Sequence, residues 1–287
     1  MMMMRTSTLG WIAGTVLLLA AQMAPAQDGH VLAVKEDGFP QAPGSKITTE
    51  TTVEIVGAKM TLKMGDQTQE GTMTRKETRV EKMEVLSPTK ARRIMESAKV
   101  EGGIKMGDQD RPIPQAPTPL EKVPMIVEFK DGKYSVTLEA GEPTAVQAPL
   151  LQQFSKSHGN NTDAAVYGTA PRKPGDKWDV DPKSARMMGE AEDLTGSYKV
   201  EFVEVKDFQG TPCAVLKSNF DISGKSKGSG TVNFKGSSTT IRSLADKLDL
   251  EVKVDATMTM SAQPNPTVTT RVEGPFTSVQ KATVVRP

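Results

Sequence analysis

The chain of 287 residues carries 36 Lys and Arg against 35 Asp and Glu, a formal net charge of +1, and is 37% hydrophobic but only 5% aromatic. This balance excludes an electrostatic nucleic-acid binder, which needs a basic excess on one face, and a polybasic membrane-surface protein. A single cysteine, Cys213, excludes an internal disulfide, so stability must come from an aliphatic core.

Arg5 precedes the uncharged, mostly apolar run Leu9–Ala21, and Ala24-Pro25-Ala26 has the small-x-small pattern of a signal-peptidase site. Residues 1–26 therefore read as a Sec-type signal peptide, with Ala24 and Ala26 at the cleavage site. The apolar run is 13 residues, short of the roughly 20 that span a bilayer, and no Cys stands at the cleavage point for lipid attachment. The mature chain is expected to be secreted or periplasmic, without a transmembrane segment. Loss of Arg5 leaves it neutral, 35 charges of each sign over 261 residues. Export removes ATP and NAD from its companions, and no cofactor is expected.

Residues 27–45 are polar, carry Pro40 and Pro43, and read as a flexible mature N-terminus. Strand periodicity then dominates. Candidate strands are Ile47–Ile55, Lys59–Met64, Thr72–Val85 and Ile94–Met106. Lys63-Met64-Gly65-Asp66-Gln67 recurs as Lys105-Met106-Gly107-Asp108-Gln109, each copy ending a candidate strand at a Gly-Asp turn. Gly107–Glu121, with four prolines, reads as an extended loop. Met125, Val127 and Phe129 alternate, Asp131-Gly132 supplies a two-residue turn, and Tyr134, Val136 and Leu138 alternate back. A hairpin of this kind pairs Phe129 with Tyr134.

Residues 141–194 form a loop and helix connector. Pro149–Ser157 is its expected helix, with Gly159 as the stop, and a second short helix starts at Asp181-Pro182. Tyr198–Val205 and Thr211–Ile222 flank a hairpin turn at Asp207–Gly210. Cys213 falls on the face opposite Ala214, Leu216, Phe220 and Ile222. Thr231–Phe234 reads as a short strand between Gly/Ser/Lys-rich segments Ser223–Gly230 and Lys235–Ser238. Leu248–Ala262 alternates apolar and polar residues without exception, the mark of a strand with one dry and one wet face. Thr267–Val285 alternates again, and Gly274-Pro275 within it marks a bulge or an edge, since Pro cannot donate to the ladder.

These segments imply a mainly β fold: long antiparallel strands in a strongly curved sheet, open barrel or sandwich, with one or two short helices in the middle connector. Residues 46–287 read as a single β-rich domain, divisible into pseudo-symmetric halves at 46–140 and 195–287.

No catalytic or metal-ligating residue emerges. The two histidines, His30 and His158, accompany no G-x-S-x-G elbow. Asp179, Asp181 and Glu190 match three positions of a calcium loop, but Lys183 and Ser184 break it. Ser223-Gly224-Lys225-Ser226 resembles the end of a phosphate-binding loop, yet Asn219 stands where Gly is required. Trp178 is the candidate ligand-binding residue, against a packing role at one end of the sheet.

The function read from these features is an exported, non-enzymatic protein that holds an apolar, lipid-like ligand or an envelope or extracellular partner on a concave sheet face. Met125, Met258 and Met260 suit an adaptable pocket. An apolar trough beneath Pro149–Ser157 would favour a carrier, and a filled core there would speak against one. The alternatives are a structural or adhesive surface domain, and an exported hydrolase using Asp176, Asp179 or Asp181 beside Trp178. In architecture, though in no motif, these strands resemble the curved half-barrels that carry lipids or lipoproteins across bacterial envelopes.

Overall fold

Alternating sequence becomes alternating burial along most of the chain. The computed structural model describes residues 29–34, 38–115, 118–159, 162–185, 191–226, 230–265 and 267–287. The signal peptide, including Ala24 and Ala26, lies outside these residues, as do Glu190 and the side chain of His158.

The first half contributes β1 (Lys46–Met64), β2 (Gln67–Ser87), β3 (Lys90–Met106), β4 (Gln109–Pro112), β5 (Met125–Lys130) and β6 (Lys133–Leu138). The connector contains α1 (Gln147–Gly159), α2 (Thr162–Tyr167) and β7 (Lys177–Asp179). The second half contributes β8 (Glu192–Phe208), β9 (Thr211–Ser226), β10 (Gly230–Ser243), β11 (Asp249–Asn265) and β12 (Val268–Val285). All twelve strands belong to one antiparallel sheet, ordered β6-β5-β3-β2-β1-β12-β11-β10-β9-β8-β7, with β4 beside β3. The sheet is open; it does not close into a barrel.

The hairpin at Asp131-Gly132 forms with the expected register, Phe129 opposite Tyr134 and Val127 opposite Val136. Both turn residues have positive φ, 50° and 75°, the twist that matches two flanking strands. Both copies of the Met-Gly-Asp-Gln segment also make two-residue turns, pairing Met64 with Gln67 and Met106 with Gln109.

Two candidate strands, Ile47–Ile55 and Lys59–Met64, are one strand interrupted by a bulge. The register shifts after Ile55 against both neighbours, and Gly57 adopts φ 63° at the break. Across the seam from this bulge stands Gly274-Pro275. The bulge takes up the position where Pro275 has no N–H to offer, so β12 tolerates a proline although it is an interior strand and no edge.

Four expectations change. Thr231–Phe234 extends to the 14-residue β10, because Lys235–Ser238 is strand and not loop. Gly236 is there for space: a Cβ would overlap the Asp255 carbonyl oxygen and crowd Ala256 on β11. Helix α1 begins upstream of Pro149, where Thr144 and Gln147 form a capping box. The Gln147 N–H donates to the Thr144 hydroxyl (3.3 Å), and the Thr144 N–H donates back to the Gln147 side chain (3.0 Å). Segment 29–34 packs into the core instead of trailing freely. His30 exchanges backbone hydrogen bonds with Arg172 (2.6 and 2.8 Å), and Leu32 and Ala33 are buried. At the expected second helix a single 3-10 turn forms, Pro182–Ser184, with Asp181 accepting from the Lys183 N–H.

Three buried clusters result. The largest lies on β8–β11, capped by residues 29–34 and α2. The second is Leu120, Met125, Val127, Val136 and Leu151 beneath α1. The third joins Cys213, Ile241 and Leu250, placing Cys213 away from Ala214, Leu216, Phe220 and Ile222 of the main core.

The close approach at Gly236 gives a direct test. Gly236→Ala should lower stability by about 1–3 kcal/mol through overpacking, read from the urea midpoint at unchanged m-value; a midpoint equal to the parent's would contradict the contact.

Candidate functional site

Directly paired residues of adjacent strands share a face, so the register assigns faces across the whole sheet. The face that carries the main core divides into three zones. Near Ile47 it is filled among the described residues: α1 packs on β6, and its Leu151 closes a cluster with Leu120, Met125, Val127 and Val136. Among the described residues the space under Pro149–Ser157 is packed, Leu151 descending onto Met125, Val127 and Val136, the outcome that speaks against a ligand trough beneath this helix.

The middle zone is polar. Across it run the paired row Val254, Ser278, Val53, Glu77 and Val100, and the row Val252, Gln280, Thr51, Arg79 and Ala98. On β2 the residues of this face alternate in charge: Arg75, Glu77, Arg79, Glu81. Arg75 pairs with Glu77 at 2.9 Å, Arg79 with Glu81, and Arg93 of β3 with Glu81 at 2.6 Å. Arg93 also lies 5.3 Å from the Phe154 ring of α1.

Beyond the bulge the same face turns apolar. One row runs Phe234, Met258, Gly274, Ala58, Met73, Ile104, and the next Val232, Met260, Val272, Met60, Gly71, Met106. Leu62, Met64 and Val268 continue it towards the hairpin ends. Gly71 lacks a side chain where the Met106 sulfur lies, so Met106 folds over β2. The inner edge of this band joins the main core through Met258, Met73, Val272 and Phe276. Its outer edge is open, with Met260 40% and Met64 39% exposed. The reverse face of the same strands is charged, with Lys59 and Glu70 paired at 3.4 Å and Lys76 and Glu54 at 2.8 Å.

A cavity of about 250 Å³ lies between α2 and the sheet, lined by Val166, Tyr198, Val252 and Val254 with Ser238, Thr240, Ser278 and Gln280. Drug-sized ligands occupy roughly 300–1,000 Å³, so this space is too small for a lipid. At its margin Arg242, only 2% exposed, pairs with Asp163 and with Asp249 (2.6 Å) and lies 4.2 Å from the Tyr167 ring centre. Its Nε donates to the Leu32 carbonyl at 2.9 Å. Burial works against the guanidinium charge, but Asp249, Tyr167 and Asp163 outweigh it, so the pKa is raised. Burial, then Asp249, pushes Tyr167 well above its ordinary value, and its hydroxyl donates to Asp249 at 3.1 Å. This network locks residues 29–34 and α2 to β10 and β11.

The residues singled out from sequence are used locally. Trp178 donates its indole N–H to the Val166 carbonyl (2.7 Å), lies 4.5 Å from the Arg172 guanidinium, and packs on the main core. The depression of about 330 Å³ that it borders is lined mostly by charged side chains, including Lys177, Asp179, Lys199 and Glu201. Asp176 accepts from the Lys173 N–H, Asp181 caps its 3-10 turn, and Asp179, 83% exposed, sits 3.9 Å from Lys199. His30 Nε2 is buried without a hydrogen-bond partner among the described residues. Cys213 is buried; its thiol donates to the Thr211 carbonyl (3.3 Å), and burial raises its pKa. Ser223-Gly224-Lys225-Ser226 lies in β9, its first two residues opposite Asn233 and Val232, which is no setting for a phosphate loop. Among the described residues, no group of three or more His, Cys, Asp and Glu is arranged to hold a metal, and no helix is long and apolar enough to cross a membrane.

Of the three methionines read as pocket-forming, Met125 is spent in the core under α1, Met258 is buried in the main core, and only Met260 reaches the open band. Met60, Met64, Met73 and Met106 are not among the pocket methionines that the sequence suggests. The repeated Lys-Met-Gly-Asp-Gln segment held the signal, since each copy sets a Met on the apolar face at a hairpin end.

No known protein family matches the chain, and no curated protein does. A solved structure reporting lipid–protein interactions in lipovitellin superposes with a TM-score of 0.42 at 7% identity, over 86% of this chain and 26% of that one. The chain thus spans about a quarter of that protein, and a superposition at this level does not establish a shared fold.

Removing the buried cation gives the second test. Arg242→Met takes the shared cation from two partly buried carboxylates and should cost about 3–5 kcal/mol, read by urea denaturation, and adding Asp163→Asn with Asp249→Asn should recover part of the loss. A midpoint indifferent to Arg242→Met would contradict the network.

Proposed function

We propose that this is an exported, non-enzymatic binding protein whose ligand is apolar and lies on the distal half of the core-bearing face. The observation that carries this reading is the band of Met, Val, Leu and Ile side chains, continuous with the core at one edge and open at the other. Its unbranched methionines can re-pack around ligands of different shape. A contiguous exposed apolar surface backed by a charged reverse face is what an interaction site requires. The ligand site lies away from α1, whose underside is filled.

A second reading places an apolar face of an envelope or extracellular partner on the same band. The openness of the band favours it, since no described residue walls a ligand in there. Export rests on the sequence of residues 1–26.

Native mass spectrometry of the protein purified from its own host tests these readings together. The expected result is a chain beginning at Gln27 that carries a small apolar adduct, released by organic solvent. A chain retaining Arg5 would contradict cleavage. A clean apo mass would contradict ligand carriage and leave the partner reading.

A further inference from the structure

Independently of the apolar band, we infer that the cavity between α2 and the sheet is a second binding site, for an uncharged polyol the size of a monosaccharide. Its floor is a regular block of side chains on three adjacent strands. Ser238 and Thr240 of β10 lie opposite Val254 and Val252 of β11, which lie opposite Ser278 and Gln280 of β12. Two hydrogen-bonding edges therefore flank an apolar stripe, two strand spacings or about 10 Å apart. Val166 of α2 lines the same cavity, whose volume is about 250 Å³ and which is partly open to solvent. Ser278 and Gln280 are half-buried and adjoin Val53 and Thr51 of the polar zone.

The two edges have hydrogen-bonding capacity to offer. Ser238 and Thr240 are each only 8% exposed, on a strand whose other core-face positions include Val232 and Phe234. No hydrogen bond among the described residues engages their hydroxyls, the Ser278 hydroxyl or the Gln280 amide. Buried polar groups are almost always hydrogen-bonded in native proteins, and these four share one cavity.

The charged groups at its margin are committed. Asp163 and Asp249 are paired with Arg242, the Tyr167 hydroxyl donates to Asp249, and Arg242 Nε donates to the Leu32 carbonyl. What remains for a ligand is neutral. An apolar stripe between two polar edges fits a pyranose or cyclitol ring: its C–H face covers Val252 and Val254, while its hydroxyls, each donor and acceptor, meet the edges. Water would satisfy the edges but leave the two valines wet.

Saturation-transfer NMR on the purified full chain tests the inference with D-glucose, D-galactose, D-mannose and myo-inositol, followed by calorimetric titration of the strongest. At least one should bind, and more tightly than cyclohexanol, which has no hydroxyl for the second edge, or than D-glucosamine and D-glucuronate, which bring charge. Ser238→Ala/Thr240→Val should weaken that binding about tenfold, while its thermal midpoint holds or rises because no protein hydrogen bond is lost. Binding of none of the four, water alone occupying the cavity, would overturn the inference. So would tighter binding of cyclohexanol or of either charged sugar, or a double variant that binds as the parent does or melts lower. None of these outcomes bears on the apolar band.

Discussion

The pairing of the first long strand with the last makes one sheet of this chain. Lys46 lies opposite Val285 and Met64 opposite Val268, so β1 and β12 run together almost end to end. Every other strand pair joins elements close in sequence and forms by local hairpins or short connections. Without the β1–β12 seam, the chain would be two meanders, each exposing a long unpaired edge of the kind that invites aggregation. The seam also carries the main irregularity of the structure, the bulge at Val56-Gly57 set against Gly274-Pro275. An extra residue on one strand and a proline on the other are each unfavourable in a regular ladder, and here they sit across from each other.

The bulge also marks where the sheet changes character. On one side of it the core face is covered by α1, α2 and segment 29–34, which are tied down by a capping box, by the Trp178 indole and by the Arg242 network. On the other side the face is apolar, rich in methionine and open. The Arg242 network is a lock, its hydrogen bonds committed to the segments that it fastens. Open apolar surface costs solubility, and the charged, ion-paired reverse face of the same strands offsets that cost. The arrangement makes physical sense if something apolar covers the band.

Much of the fold was legible in the sequence, because its strands obey a two-residue period. Leu248–Ala262 and the Asp131-Gly132 hairpin follow from alternation and turn chemistry, whereas the bulge or edge expected at Gly274-Pro275 falls on the partner strand, as the bulge at Val56-Gly57. What failed was the reading of small residues as breakers. Lys235–Ser238 looks like a loop, yet its glycine answers to the crowding of Asp255 and Ala256, a contact invisible without the partner strand. Segment 29–34 looked mobile because one apolar stretch, Leu32-Ala33, is too short to show a period. The candidate site was less legible. Alternation shows which residues share a face on one strand, but the band exists only through a register linking Met60, Met73, Met106 and Met260 from four strands. Nothing in the sequence of Thr72–Val85 marks Arg75 and Arg79 as belonging to the core side, where the register sets them.

The central claim is that the distal methionine band is a binding surface that carries an apolar occupant in its native setting. Methionine oxidation by dilute peroxide, followed residue by residue by mass spectrometry, tests it most directly. Protein taken from its own host would be compared before and after extraction with organic solvent and refolding. The account predicts that Met60, Met64, Met73, Met106 and Met260 oxidise slowly before extraction and rapidly after it, while Met125 and Met258 stay protected in both. Equal rates for the band methionines before and after extraction would contradict it.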